Sequence, residues 1–168
     1  MTIDPRRHLA LEGSHNIRDL GGYDTADGRQ TKWRRFLRAA GLGQLTAAAQ
    51  SELVEAGLRT VVDLRRGSEL EADPSVFAGS SQLAYHHIDF VGEGPIDPSQ
   101  PLDDSRHENA AAYCIWLDDR QPSVRDTLTT LAAPEALPAL FNCAAGKDRT
   151  GVTAALLLGL AGVPDATI

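Results

Sequence analysis

Residues 149–162, RTGVTAALLLGLAG, limit the fold of this chain more than any other segment. The pattern is helical and apolar nearly all round, and a helix of that kind must be buried. The preceding residues 136–142, ALPALFN, form a short apolar run that predicts a strand. A strand that leads into a buried helix needs further elements to cover them both.

The rest of the chain supplies these elements as an alternation of apolar runs and helical patterns. Strands are predicted at 35–39, 59–64 and 83–90, and helices from near Thr46 to Gly57, over 108–117 and over 123–133. This alternation predicts an α/β fold with a mostly parallel central sheet flanked by helices. With 168 residues, 42% of them hydrophobic, the chain has the size of a single domain, 1–168. A stretch rich in Gly, Pro and Asp at 91–105 is expected to be a long loop.

Composition excludes several classes of function. The net charge of −7 argues against nucleic acid as a partner, so any anion site must be local. Cys114 and Cys143 make no disulfide framework, and the sequence holds no C-x-x-C pair or Cys/His cluster with zinc spacing. The adjacent His86 and His87 would point to opposite faces of a strand. We therefore expect no metal site.

The sequence holds no apolar run of the length that a signal peptide or a transmembrane helix requires. We therefore expect no transmembrane segment and, by default, a cytoplasmic location. Export by a route that needs no classical signal stays open.

The residues FNCAAGKDRTG, 141–151, place Cys143 just after the predicted strand and Arg149 at the start of the predicted helix. Open α/β sheets bind ligands at the carboxyl ends of their strands. Loop N–H groups, the helix dipole and the guanidinium fork all favour an anion there, and the same field favours a thiolate. Cys143 is thus either a nucleophile in an anion cradle or a small buried hydrophobic residue.

The full string C-A-A-G-K-D-R-T-G, 143–151, resembles the signature loop of protein tyrosine phosphatases. Its GKDRTG ending is similar to the bacterial tyrosine/serine branch of that family. NIRDLGGY at 16–23 is similar to the N-F-R-D-L-G-G element of the same branch, and 36–69 resembles its arginine-containing strand, its helix and its DLR strand end. The three matches follow one order along the chain and imply a protein tyrosine phosphatase-like fold.

The resemblance also implies roles for the loop residues. Cys143 would be the nucleophile that forms a phosphocysteine, and Arg149 would clamp the phosphate and stabilise the transition state. Asp148 would be the general acid, with Asp89 as the other candidate unless it is only a solvated carboxylate at a strand end. No metal or cofactor is needed, because the cradle and the arginine supply the positive charge.

The remaining assignments concern substrate binding. Thr150 would donate a hydrogen bond to the leaving thiolate, or it is an ordinary hydroxyl in a first helical turn. Other expected binding residues lie in the loop and in the NIRDLGGY element: Ala144, Ala145, Gly146, Lys147, Arg18 and Asp19. Lys147 would pair with substrate or with Asp148 unless it is simply exposed. Arg18 and Asp19, like Arg65, would either contact substrate or form a buried ion pair. Cys114 is expected to serve packing.

Two departures from the family pattern stand out. Asn142 occupies the position where the family usually has a histidine that orients the loop and favours the thiolate, and asparagine cannot become cationic. The sequence also ends at GVPDATI, where the family normally continues with several more helices. We therefore expect a C-terminally shortened domain, which would be a fragment, a truncated product or a chain that completes its core as a homodimer.

These features predict a phosphomonoester hydrolase that acts on a phosphorylated protein, peptide or small phosphomonoester and releases inorganic phosphate. Phosphotyrosine, phosphoserine/threonine and phosphoinositides all remain open as substrates. The alternatives are a pseudophosphatase that binds phosphate without cleaving it, and a relative that uses the thiolate on a small anionic metabolite.

Overall fold

The computed structural model describes residues 4–92 and 108–168, except for the side chains of residues 108–112. The strands are β1 Arg18–Asp19, β2 Phe36–Ala39, β3 Thr60–Asp63, β4 Ala84–His87 and β5 Ala139–Asn142. The helices are α1 Ala47–Glu55, α2 Gly67–Ala72, α3 Glu108–Asp119, α4 Gln121–Ala132 and α5 Asp148–Leu160, and a short 3₁₀ turn covers Pro5–Arg7.

The five strands form one sheet in the order β1-β2-β5-β3-β4. Every pairing is parallel except that of β1 with β2, which places Arg18 opposite Arg38 at the edge of the sheet. β5 lies in the middle, where Leu140 pairs with Leu37 on one side and Val61 on the other. The expected α/β fold with a mostly parallel sheet flanked by helices is confirmed.

Both faces of the sheet are covered by helices. On one face, Leu53 of α1 packs with Leu37, Val61 and Leu140. On the other face, α3, α4 and α5 pack against the strand side chains that point to that face, and Phe141 is completely buried there. All four residues of β5 are buried, which explains why Ala139, Leu140 and Phe141 form a continuous apolar run instead of an alternating pattern.

The strands are shorter than predicted, and the helix boundaries differ from the predicted ones by at most two residues. The strand predicted from residue 136 begins at Ala139, because Pro138 has no N–H to donate to a ladder. The first helix stops at Glu55, and Gly57 follows it with a φ of +92°. The expected loop at 91–105 lies outside the described residues from 93 onwards.

Burial of α5 is one-sided, so the expectation of a helix buried all round is only partly met. Thr150, Val152, Thr153, Ala154 and Leu158 face the core, whereas the side chain of Leu160 is 77% exposed. The helix pattern could not separate these faces because both are apolar. No helix in the described ranges has the length and hydropathy needed to cross a membrane.

Candidate active site

The loop that follows β5 is centred on Cys143, the first residue after the strand. Cys143 is a free thiol with 2% of its surface exposed, and α5 begins five residues later at Asp148. Because β5 lies between β2 and β3, the loop leaves the carboxyl end of the middle strand of the sheet. The structure therefore places Cys143 where parallel sheets bind ligands.

Hydrogen bonds from neighbouring segments hold the loop carbonyls on one side. The carbonyl oxygen of Ala144 accepts from Gly41 N at 2.9 Å, and those of Ala145 and Gly146 accept from Asn16 Nδ2 at 3.3 and 3.2 Å. A trans peptide points its N–H away from its C=O. The N–H groups that follow these carbonyls therefore point towards the opposite side of the loop, where they are available to an anion.

Gly146 is the loop position where only glycine fits. Its φ is +65°, and a Cβ there would lie 2.6 Å from Ala40 N and 2.7 Å from the carbonyl carbon of Ala39. The carbonyl of Gly146 also accepts from Arg38 Nη2 at 2.7 Å. The small residues expected here thus serve close packing of the loop on the end of β2.

Arg149 is held in place by Glu69 of α2. Arg149 Nη1 lies 2.5 Å from Glu69 Oε2, and Nη2 lies 2.8 Å from Oε1, so the carboxylate caps the end of the guanidinium. Glu69 Oε2 also accepts from Arg66 N at 2.8 Å. Since none of the described residues accepts from Nε of Arg149, the edge formed by Nε and Nη2 can bind a second anion bidentately.

The electrostatics of this pair are strongly coupled. The hydrogen bond from Arg149 lowers the pKa of Glu69 from 4.5 to about 2. Burial acts to lower the pKa of Arg149, but Glu69 and the negative charge of an ionised Cys143 raise it, and the net shift is upward. Arg149 is therefore a cation fixed beside Cys143.

Asp148 is the first residue of α5, where the helix dipole favours a carboxylate. The hydroxyl of Tyr113, on α3, donates a short hydrogen bond to Asp148 Oδ1. This bond, together with burial, raises the pKa of Tyr113 to about 12. The carboxyl group that the resemblance assigns as general acid is thus anchored at one of its two oxygens.

A sequence profile of the tyrosine phosphatase family matches residues 9–168, which include both the loop and the residues that hold it. The chain belongs to the tyrosine phosphatase family. It is 37% identical over 133 residues to a tyrosine-protein phosphatase of Nostoc commune, an alignment that covers 79% of this chain and 45% of that protein. It is 28% identical over 172 aligned positions to a candidate tyrosine-protein phosphatase of Cupriavidus necator, covering 96% of this chain and 60% of the relative. The chain thus spans about half the length of the curated relatives it matches.

Two buried side chains on either side of this tyrosine phosphatase loop have polar atoms without partners in the described part of the chain. Thr150 Oγ1 and both amide atoms of Asn142 have no hydrogen-bond partner among the described residues, and both residues are fully buried. An unpaired buried polar group costs about 1–3 kcal/mol, so such groups call for an explanation. The Thr150 hydroxyl is consistent with a donor kept for the thiolate. Asn142 stands where the family usually has histidine, and its amide orients nothing that the structure describes.

Asp19 and Arg65 brace the fold. Asp19 is buried and accepts from the backbone N–H groups of Gly21 and Arg34 at 2.8 and 2.9 Å, so it does not form the ion pair with Arg18 that was considered. Arg65 is buried and binds Asp63 through Nε and Nη2 at 2.9 and 2.8 Å. Of the two roles weighed for Arg65, the structure shows the buried ion pair.

Arg18 and Arg38 place positive charge behind the loop. They are register partners in β1 and β2, and burial followed by the charge of Arg18 lowers the pKa of Arg38. The Nε atoms of both are buried without a partner among the described residues. Sequence reasoning noted an arginine-containing strand but did not predict that Arg38 holds the loop.

Ala144, Ala145 and Lys147 are exposed. Cys114 is also exposed, on α3, so its expected packing role is wrong.

An open cavity of about 400 Å³ lies over this region. Its lining comes from α2, the segment after β4, α3 and the start of α5: Arg66, Ser68, Glu69, Val91, Trp116, Asp148 and Arg149. Glu69 and Tyr113, the hydrogen-bond partners of Arg149 and Asp148, were not predicted from the sequence. Only their positions in space identify them.

Proposed function

We propose that this chain hydrolyses phosphomonoesters through a phosphocysteine intermediate, as a tyrosine/serine phosphatase. The observation that carries the proposal is the loop itself. Its carbonyls are turned outward by Gly41, Asn16 and Arg38, while Arg149 is fixed by Glu69 with one edge left for a phosphate. This is a preorganised site for a tetrahedral dianion next to a cysteine.

In the first step, the phosphate of the substrate binds to the loop N–H groups and to the Nε and Nη2 edge of Arg149. The Cys143 thiolate attacks phosphorus in line with the ester oxygen, so that the S–P bond forms as the P–O bond breaks. Asp148 gives its proton to the departing oxygen, and the alcohol or phenol leaves. Arg149 and the N–H groups stabilise the charge on the three equatorial oxygens.

In the second step, water attacks the phosphorus of the phosphocysteine. The Asp148 carboxylate takes a proton from this water, the S–P bond breaks and inorganic phosphate is released. The electron pair returns to sulfur, where the hydroxyl of Thr150, which has no partner in the described ranges, stabilises the thiolate. Lys147, exposed at the rim, attracts the anionic substrate.

Phosphotyrosine is the substrate class that the site supports best. The cavity at Arg149 is lined on one side by Trp116 and Val91, which suit an aromatic ring, and both named relatives are called tyrosine-protein phosphatases. Phosphoserine and phosphoinositides are further substrates that the resemblance implies. A comparison of phosphotyrosine and phosphoserine peptides of the same sequence would rank the first two.

The test is turnover of an aryl phosphate by the 168-residue chain and by Cys143→Ser. We expect turnover that vanadate inhibits and that Cys143→Ser abolishes, while the variant still binds phosphate. Trapping of the phosphorylated chain by acid quench, with loss of the label in Cys143→Ser, would identify the intermediate. Undiminished turnover in Cys143→Ser would overturn the mechanism.

A phosphate-binding pseudophosphatase is the second candidate, and Asn142 is the observation that favours it. Its amide is buried without a partner among the described residues, at the position before the nucleophile. Asn142→His separates the two candidates. A gain in turnover would show that thiolate activation is the weak point of an active enzyme, whereas vanadate binding without turnover in both forms would favour the pseudophosphatase.

A further inference from the structure

Tyr113 connects α3 to the first residue of α5. Its hydroxyl donates to Asp148 Oδ1, and its ring packs against Trp116 with the ring centres 5.2 Å apart and the planes at 45°. Trp116 in turn lines the same cavity as Asp148 and Arg149. The aromatic pair therefore fixes one oxygen of the Asp148 carboxyl group relative to the phosphate site.

We propose that Tyr113 is a positioning residue that selects which oxygen of Asp148 carries the proton delivered to the leaving group. The inference rests on the proposed function, in which Asp148 is the general acid. In a protonated carboxyl group the carbonyl oxygen is a better acceptor than the hydroxyl oxygen, so a phenol that donates to Oδ1 favours the transferable proton on Oδ2. The same bond persists after Asp148 has lost its proton, and the carboxyl group keeps its orientation through both steps.

The surroundings of Asp148 make such anchoring necessary. Charged groups face it from several directions: Lys147 and Arg149 beside it, Arg66 and Glu69 from α2 across the cavity, and Asp165 along the groove on its other side. These opposing charges would let an unanchored carboxyl group rotate towards Arg149 or Lys147. Tyr113 remains a donor at neutral pH, since its hydrogen bond to Asp148 and its burial raise its pKa to about 12.

The expected signature is a dependence on the leaving group. Protonation by a general acid matters most when the departing oxygen is strongly basic and least when it leaves readily as an anion. Tyr113→Phe keeps the ring on Trp116 and removes only the hydroxyl. We expect kcat/KM to fall about tenfold with benzyl phosphate, the loss typical of one hydrogen bond to a charged group, and to change little with 4-nitrophenyl phosphate.

The experiment measures kcat/KM for both substrates with the unaltered chain, Tyr113→Phe, Asp148→Asn and the double variant. Tyr113→Phe should have no further effect once Asp148 is asparagine, because the two residues act as one unit. Tyr85→Phe is the matched control, since Tyr85 also donates to a carboxylate, that of Asp63 at 3.2 Å, but lines neither the cavity nor the groove that Asp148 borders. We expect this control to affect both substrates equally.

Equal losses on the two substrates, or independent losses in the double variant, would overturn the role of Tyr113 and leave the phosphatase proposal standing. An Asp148→Asn variant without any leaving-group dependence would overturn the general-acid role of Asp148 and Tyr113's role with it. Absence of turnover in the unaltered chain, or persistence of turnover in Cys143→Ser, would refute the proposed function itself. Circular dichroism of each variant establishes that it is folded.

Discussion

Arg65 and Arg149 follow two neighbouring strands of the sheet, and each is held by a bidentate carboxylate, yet the two pairs differ in the edge they use. Asp63 takes the Nε and Nη2 edge of Arg65, and Asp73 takes Nη1. Glu69 takes the Nη1 and Nη2 end of Arg149. The guanidinium of Arg65 donates from all three nitrogens to neighbouring residues, so it stabilises the fold. The guanidinium of Arg149 keeps its Nε and Nη2 edge available for a ligand.

The same contrast extends to the residues around each arginine. Near Arg65, Tyr85 also donates to Asp63, so the polar side chains of this cluster are hydrogen-bonded to one another. Near Arg149, Thr150 and Asn142 have buried polar atoms without partners among the described residues. The first cluster is expected to determine stability, and the second is expected to sacrifice stability for binding.

The largest expected effect is on stability, from Arg65→Leu. This change leaves the completely buried Asp63 without its cation, and breaking a buried pair in this way costs about 3–5 kcal/mol. Denaturant unfolding measures the loss. Arg29→Leu is the control, because Arg29 and Asp27 form an ion pair with side chains 81% and 53% exposed, and its loss should leave the unfolding midpoint nearly unchanged.

The double variant Asp63→Asn/Arg65→Leu sharpens this prediction. Part of the lost stability should return, since no charge is then left buried. If Arg65→Leu unfolds at the same denaturant concentration as the unaltered chain, Arg65 does not stabilise the fold, and the contrast between the two arginines fails.

The next effect is on turnover, from Arg149→Lys. Lysine keeps the charge but cannot bind Glu69 and a phosphate at once through two edges. We expect kcat for an aryl phosphate to fall by about 10²–10³, in line with the loss of one preorganised donor to a developing anion. The free energy of unfolding should change far less than in Arg65→Leu, and a reversed pattern would exchange the roles assigned to the two arginines.

Glu69→Gln tests the link between the two functions of its ion pair. The pKa of Glu69 is lowered from 4.5 to about 2, so its contribution to stability is full above pH 4.5 and is lost as the pH falls through about 2. The difference in stability between the unaltered chain and Glu69→Gln should therefore shrink over that range. Acid unfolding measures it, with Glu71→Gln, an exposed position on the same helix, as control.

Glu69→Gln should also lower kcat/KM about tenfold, because a neutral amide holds the guanidinium less firmly. A pH-independent stability difference would show that Glu69 acts by packing and not by its charge.

The parts of this molecule that sequence predicts are those encoded locally. The run around Phe141 and the pattern around Val152 each carry a strand or helix signal, and their alternation is sufficient for the α/β fold. Cys143 and Arg149 lie within one loop, so their spacing already indicates an anion site. The two-residue strand β1 and the six-residue helix α2 carry no comparable periodicity.

The partners of the loop could not be predicted because folding brings them from far along the chain. Glu69 is 80 residues from Arg149, and Tyr113 is 35 residues from Asp148. Their side chains are ordinary for exposed helical positions, and only the packing of α2 and α3 beside the loop gives them a role. The proposed general-acid role of Asp148 thus rests on the family motif, while the proposed positioning role of Tyr113 rests on the structure.

The smallest expected effect tests the unpaired polar atoms, through Thr150→Val. The change removes a buried hydroxyl without a partner among the described residues and keeps the shape, so stability should stay the same or rise by up to about 1 kcal/mol. Turnover should nevertheless fall about tenfold, because the thiolate loses a donor when it leaves phosphorus. Rapid mixing with 4-nitrophenyl phosphate should show a burst of nitrophenol followed by a slower steady state. Thr153→Val is the matched control, since Thr153 is equally buried about one turn later on α5 but donates its hydroxyl to Arg149 O at 3.0 Å. The Thr153→Val variant should lose stability and show no burst. If Thr150→Val behaves in the same way, Thr150 stabilises the fold, as Arg65 does, and does not act in turnover.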